Sequence, residues 1–263
     1  PNAEHAHLAP IYATSTFTFD SAEQGMNRFT GKEDGFIYSR FGNPTTAMAA
    51  EIIASLEAFG LTDDKGNPLQ LKAILHASGQ AAMATMFLSN LSLGDTVLSH
   101  YSLYGGTHEF LFDILPKYGI HSLIADLRDI TQLETLLKEN PSLKLIHIET
   151  PANPTMLCID LETVTIIAKQ HGILVTVDNT FATPYLQQPF KYGVDFVFHS
   201  TTKFLNGHGT AIGGVLLGKD IDFMNALKFF IEENIMNLNL ELLSDHFAIS
   251  LTQLNRKIKA LTG

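Results

Sequence analysis

The chain has 263 residues, 45% of them hydrophobic, enough to bury a sizeable core as one large domain or as one domain with a smaller companion. Lysine and arginine total 17 against 27 aspartates and glutamates, and the formal net charge of −10 excludes a chain-wide basic field for nucleic acid or an anionic membrane surface. Cys158 is the single cysteine, which excludes a disulfide within the chain and fits a reducing compartment, so a cytoplasmic location is expected.

Pro1 to Pro10 lacks a basic end followed by an apolar segment, and no apolar stretch reaches the roughly 18 residues of a spanning helix. Neither a signal peptide nor a membrane span is predicted. Residues 1–45 hold a Thr- and Phe-rich stretch, Ala9 to Asp20, and a glycine-rich stretch of little periodicity, Gly31 to Pro44. Such a segment has little core of its own, so an arm is predicted that drapes over a surface or reaches a neighbouring subunit. It carries Tyr38-Ser39-Arg40-Phe41-Gly42-Asn43-Pro44-Thr45, and Arg40 is the residue type best suited to bidentate phosphate contact.

Residues 46–223 read as the main domain. Ala73 to Ala77, Thr96 to Ser99, His121 to Ala125, Lys144 to Glu149, Ile173 to Val177, Val194 to Phe198 and Ala211 to Leu217 are predicted strands, most of them too continuously apolar for a half-exposed sheet. Helical periodicity fills the gaps at Ala81 to Leu91, Glu109 to Tyr118, Ile130 to Glu139 and Leu161 to His171, with a weaker turn near Tyr185 to Phe190. The alternation predicts an α/β fold, a mostly parallel sheet flanked by helices, with ligands gathered at the carboxyl ends of the strands. Residues 224–263 follow as a helical segment, with Ala226 to Met236 and Leu240 to Leu261 in helical period.

The residues that carry chemistry sit just past these strands. Ser78-Gly79-Gln80 joins a strand to a helix, where backbone N–H groups and a helix N-terminus suit a phosphate; a tight turn is the plainer account. Tyr104, in Tyr101-Ser102-Leu103-Tyr104-Gly105-Gly106-Thr107, offers a ring to stack on a flat ligand and a hydroxyl to move protons, or simply an aromatic cap on a strand end. Asp178 ends an apolar run, as the partner of a permanent cation or as a helix cap. His199-Ser200-Thr201-Thr202-Lys203 places a lysine of nucleophilic or proton-carrying potential, in a half-buried setting, beside two hydroxyls that face one way. An imine-forming lysine, phosphate-holding hydroxyls and a carboxylate for a ring nitrogen are together what pyridoxal phosphate requires. The eleven histidines are scattered, and His5/His7 and His199/His208 lack the companions of a zinc site, so no metal is predicted.

These motifs resemble the Cys/Met-metabolism family of pyridoxal-phosphate enzymes. This is the trans-sulfuration group of O-acetylhomoserine sulfhydrylases, cystathionine synthases and lyases, and methionine gamma-lyases. The likeness runs from Ala9-Pro10-Ile11-Tyr12 to Gly213-Gly214, with motifs in family order. It implies the large domain of a fold-type I enzyme, with Lys203 as the imine partner, Asp178 on the pyridine nitrogen and Tyr104 as stacking ring and leaving-group acid. Ser78, Gly79, Gln80, Ser200 and Thr202 would hold the phosphate, and Asn153, in Glu149-Thr150-Pro151-Ala152-Asn153-Pro154, would neighbour the phenolic oxygen. Tyr38 and Arg40 would reach the phosphate of an adjacent subunit, implying a homo-oligomer, at least a dimer and as expected a tetramer.

Within the family, Leu103 to Thr107 and His208-Gly209-Thr210-Ala211-Ile212-Gly213-Gly214 look most like the sulfhydrylases, where methionine gamma-lyases often carry cysteine in place of Gly106. The expected reaction is therefore gamma-replacement on an O-acylated homoserine by sulfide or a thiol, with gamma-elimination as the alternative and a non-catalytic relative as a third reading. Gln80 stands where the family commonly has Met. Beyond Met224 the likeness fades, so 224–263 is expected to be a short or incomplete small domain; Arg256, the one arginine after Lys203, is either the substrate-carboxylate ligand or a solvent-facing helix residue.

Overall fold

The computed structural model describes residues 7–233. Two helices precede the sheet. Ser21 caps α1 (Ala22–Phe29) by accepting from the Gln24 N–H, and the Gln24 side chain in turn accepts from the Asp20 N–H. Asn43 caps α2 (Pro44–Glu57) through the Thr45 N–H, and Pro44 takes the first helical position, where a missing N–H has no intrahelical role. Neither helix was among the predicted elements, although Ser-x-x-Gln and Asn-Pro are recognised start signals. Within the segment expected to be an arm, Thr16 and Tyr38 form an antiparallel bridge and the Phe17 and Phe36 rings meet at 5.5 Å.

Then strand and helix alternate: β1 (Lys72–His76), α3 (Gly79–Asn90), β2 (Thr96–His100), α4 (Gly105–Glu109), β3 (His121–Ala125), α5 (Ile130–Glu139), β4 (Leu143–Glu149), α6 (Leu161–Gln170), β5 (Leu174–Asp178), α7 (Thr183–Leu186), β6 (Phe196–His199), β7 (Gly214–Gly218) and α8 (Ile221–Glu233). The sheet order is β1-β7-β6-β5-β4-β2-β3, with β7 antiparallel to both neighbours and the remaining pairings parallel. All seven predicted strands are present in the expected mostly parallel sheet.

Alternation along each strand divides the core in two. Ile146, Ile148, Val175, Val177 and Val197 face one way and pack with Ala54 of α2, Leu133 of α5 and Val164 of α6. Leu145, Phe196, Phe198 and Leu216 face the other way, against Met83, Met86 and Phe87 of α3 and Met224 and Leu227 of α8. A sheet covered on both sides explains the nearly unbroken apolar strand sequences.

Three boundaries differ from expectation for local reasons. The predicted helix Glu109 to Tyr118 begins earlier, at Gly105, then widens to a π-helical turn over Phe110–Ile114 and tightens to a 3-10 turn over Leu115–Tyr118. Pro116 has no N–H to continue the ladder, so the spacing changes around it. The predicted strand Ala211 to Leu217 starts only at Gly214, because Gly213 bonds to Thr202 instead. The weak turn near Tyr185 to Phe190 resolves into α7 and a 3-10 turn, Pro189–Tyr192. Among the described residues no helix is long and apolar enough to cross a membrane. The predicted helix Leu240 to Leu261, and Arg256 within it, lie outside the described residues.

Candidate active site

The parallel strands end at one edge with His76, His100, Glu149, Asp178 and His199, and antiparallel β7 enters that edge at Gly214. A cavity of about 630 Å³ opens there, lined by Ser78, Gly79, Gln80, Tyr104, Asn153, Asp178, Ser200, Thr202 and Lys203. Nine of the residues singled out in the sequence therefore share one space, because each lies just past a strand end on the same edge.

The turn between β1 and α3 is closed by small residues. Ser78 caps α3 by accepting from the Ala81 N–H at 3.1 Å. A Cβ on Gly79 would lie 2.6 Å from Cβ of Ser200, and one on Gly214 would lie 2.1 Å from the carbonyl oxygen of Ser78. Only glycine lets these backbone segments approach so closely, and the approach brings the start of α3, Gly79 and Gln80, onto the cavity wall.

Two carboxylates stand side by side across the sheet, since Glu149 of β4 pairs in register with Asp178 of β5. Among the described residues Thr180 hydrogen-bonds Asp178, its N–H reaching Oδ1 at 2.9 Å, and burial pushes the carboxyl above its ordinary range. The Thr180 hydroxyl also accepts from the Ser200 N–H at 2.8 Å, linking the aspartate turn to the lysine turn. A carboxylate held there by a neutral residue is a place for a cation.

Glu149 carries a role that the sequence reading did not assign. Its Oε2 accepts from the Tyr104 N–H at 2.6 Å and its Oε1 from the Asn153 N–H at 2.9 Å, so one carboxylate ties two cavity loops to β4. Burial pushes it up to about 7, helped by the nearby Asp178 charge and opposed by the two N–H donors. The signal was available: like Asp178, Glu149 is an acid ending an apolar strand.

The lysine turn is tied to β7. Thr202 Oγ1 donates to the Gly213 carbonyl at 3.2 Å and accepts from the Gly213 N–H at 3.1 Å. Its hydroxyl, expected to face a phosphate beside Ser200, thus gives its one O–H to backbone and keeps only an acceptor lone pair, so a phosphate would have to take that donor from the Gly213 carbonyl. The half-buried setting expected for Lys203 is not found: the side chain is exposed toward the cavity, with Phe204 and Ile212 at 62% and 76% exposure nearby on the wall. No carboxylate forms an ion pair with it among the described residues.

Beneath the cavity, on the opposite face of the sheet, a buried polar network fastens the strand ends. Glu57 of α2 accepts from Asn179 Nδ2 at 2.9 Å and pairs with His199 Nε2 at 2.6 Å, while Gln187 Nε2 donates to Asn179 Oδ1 and to the Thr150 carbonyl. Tyr38 and Arg40 do not join the cavity of their own chain. The Arg40 guanidinium stacks on the Tyr38 and Phe41 rings, 5.1 and 4.6 Å from their centroids.

Fold and site together define the large domain of a fold-type I pyridoxal-phosphate enzyme, and the cavity fits that cofactor: a half-buried carboxylate without a lysine partner among the described residues, an amine on the same cavity wall, an aromatic ring and a glycine-closed anion turn. The chain belongs to the Cys/Met metabolism PLP-dependent enzyme family, whose model matches residues 1–240. It is 39% identical over 240 residues to the L-methionine gamma-lyase of Porphyromonas gingivalis, covering 91% of this chain and 57% of that protein. It is 36% identical over 219 residues to the O-succinylhomoserine sulfhydrylase of Pseudomonas aeruginosa, covering 83% and 51%. A putative O-acetylhomoserine (thiol)-lyase from Campylobacter jejuni, solved with a pyridoxyl-lysine phosphate, superposes with a TM-score of 0.70 at 35% identity, covering 83% of this chain and 50% of that one. The chain spans about half the length of the curated relatives it matches.

Proposed function

We propose that the enzyme carrying this chain replaces the gamma substituent of an O-acylated homoserine with sulfide or a thiol. The observation that supports it is the convergence of Lys203, Asp178 and Tyr104 on one cavity. Asp178 would hold the cofactor's ring nitrogen, Ser78, Gly79, Gln80, Ser200 and Thr202 its phosphate, Tyr104 its ring face, Asn153 its phenolic oxygen, and Lys203 its aldehyde carbon. When bound, pyridoxal phosphate supplies an electron sink that stabilises negative charge developing on the substrate's alpha carbon.

The chain's own groups do the rest. Asp178, ionised, keeps the ring nitrogen protonated so that the sink is deep. Lys203 Nζ would carry protons between the substrate's alpha and beta carbons. The Tyr104 hydroxyl delivers a proton to the departing gamma group. Glu149 keeps Tyr104 and Asn153 in register through their N–H groups. Tyr38 and Arg40, which do not line the cavity of their own chain, would complete the phosphate site of a neighbouring subunit, which would make a dimer the smallest active unit and a tetramer its expected assembly.

Gamma-elimination is the second reading, favoured by the 39% identity to a methionine gamma-lyase. The test offers the purified enzyme O-acetylhomoserine with and without sulfide, and methionine, and measures homocysteine against 2-oxobutanoate. Sulfide-dependent homocysteine is expected; keto acid from methionine without sulfide dependence would replace this reading with the lyase.

A further inference from the structure

Gln80 is the second residue of α3, yet its side chain does not lie with the anion turn. A Cβ built on Gly106 would fall 2.3 Å from Gln80 Nε2 and 2.8 Å from Cε1 of Tyr104, so the carboxamide occupies the place that a side chain at 106 would claim, at the edge of the Tyr104 ring. The amide lines the cavity, is exposed to it, and makes no side-chain hydrogen bond among the described residues. Two donors and an acceptor without partners, on a wall that includes Met83, Phe181, Phe198 and Ile212, are a recognition group for something that enters the cavity.

We propose that Gln80 is a specificity-determining residue whose carboxamide donates to the carbonyl oxygen of an acyl leaving group on the substrate's gamma oxygen, and that residue 106 is glycine to leave that amide room. The assignment rests on the function proposed above, in which the Tyr104 hydroxyl protonates the same leaving group. The chemistry separates the two competing substrates. An ester carbonyl is a good acceptor, whereas the thioether sulfur of methionine is a weak one, so an amide beside the leaving group favours the ester. The backbone N–H of Gln80 stays with the anion turn, so one residue serves cofactor and substrate through different atoms.

The experiment measures kcat/KM for O-acetylhomoserine and for methionine in the parent enzyme, Gln80→Glu, Gln80→Met and Gly106→Ala, with cofactor content read by visible absorbance. Gln80→Glu keeps the shape and removes both donors. Each single variant should lower the ester-to-thioether ratio by about 3- to 10-fold, the worth of one neutral hydrogen bond. The double variant Gln80→Met with Gly106→Ala should lower it no further than either change alone, since both abolish one contact. In a Lys203→Ala background, which cannot turn over, titration calorimetry should show Gln80→Glu weakening O-acetylhomoserine binding by a similar factor. An unchanged ratio in Gln80→Glu with cofactor bound, or additive losses in the double variant, overturns the assignment alone. A cofactor-loaded parent that turns over neither compound overturns the gamma-carbon reading, and the assignment with it.

Discussion

His199 Nε2 lies 2.6 Å from Glu57 Oε1, with both side chains fully buried and the two residues 142 positions apart in the chain. The same carboxylate oxygen accepts from Asn179, so α2 holds the ends of β5 and β6 together under the cavity. Glu57 Oε2 and His199 Nδ1 find no further partner among the described residues.

Removing one member of this pair strands the other in the core. Glu57→Ala should therefore destabilise the fold by about 3–5 kcal/mol, more than a typical truncation on a helix. Glu57→Gln, which keeps an acceptor for Asn179, should lose less. Urea unfolding followed by circular dichroism measures both, and an alanine variant within 1 kcal/mol of the parent, about a fivefold change in equilibrium, would contradict the assignment of a clamp.

The glycine-closed turn makes a second prediction. In Gly79→Ala the new Cβ would meet Cβ and Cα of Ser200 at 2.6 and 2.9 Å, and backbone cannot yield as a flexible side chain would. The lysine turn must shift, and tight positioning at a cofactor site tolerates displacements of only about 0.5 Å. The variant should remain folded while losing most of its visible cofactor absorbance; full retention of colour would show that the turn is not pressed against the ligand.

Lys203 makes the third. Borohydride should fix the cofactor to the tryptic peptide that contains Lys203, and Lys203→Ala should abolish that labelling while leaving the far-ultraviolet spectrum unchanged, since the side chain is exposed. Mass spectrometry of the digest decides. Label on any other lysine would remove Lys203 from the proposed role.

Glu149 supplies a pH dependence. Its carboxyl is pushed up to about 7 in the folded protein from the ordinary 4.5, chiefly by burial, so the folded state binds the proton more tightly than the unfolded chain. The protonated form is thus favoured by folding below about pH 4.5, and this contribution is lost as pH rises toward 7, amounting to at most about 3 kcal/mol. Unfolding of the cofactor-free protein in urea across pH 5 to 8 should show a falling stability component that Glu149→Gln flattens. Parallel profiles for the two proteins would contradict it.

Most of the site was legible because fold-type I chemistry sits at strand ends. Ser78, Asp178 and Ser200 each follow an apolar run, and a mostly parallel sheet brings such ends to one edge regardless of strand order. Glu149 met the same criterion and was passed over for its neighbour Asn153. Helix α2 escaped notice because its faces are weakly patterned, and α1, though clearly two-faced, spans only 8 residues; Ser21 and Asn43 announced their starts.

The strand and helix periods, the hydroxyl–lysine turn and the acid at a strand end are local properties, set by side-chain spacing and backbone preference, and the amino-acid order alone determined them. Sheet order, the partnership of Glu57 with His199, the engagement of Thr202 by Gly213 and the swing of Gln80 toward Gly106 depend on which distant backbones touch. No periodicity encodes those meetings, because they follow from the packing of two core layers and the close approaches that glycine permits.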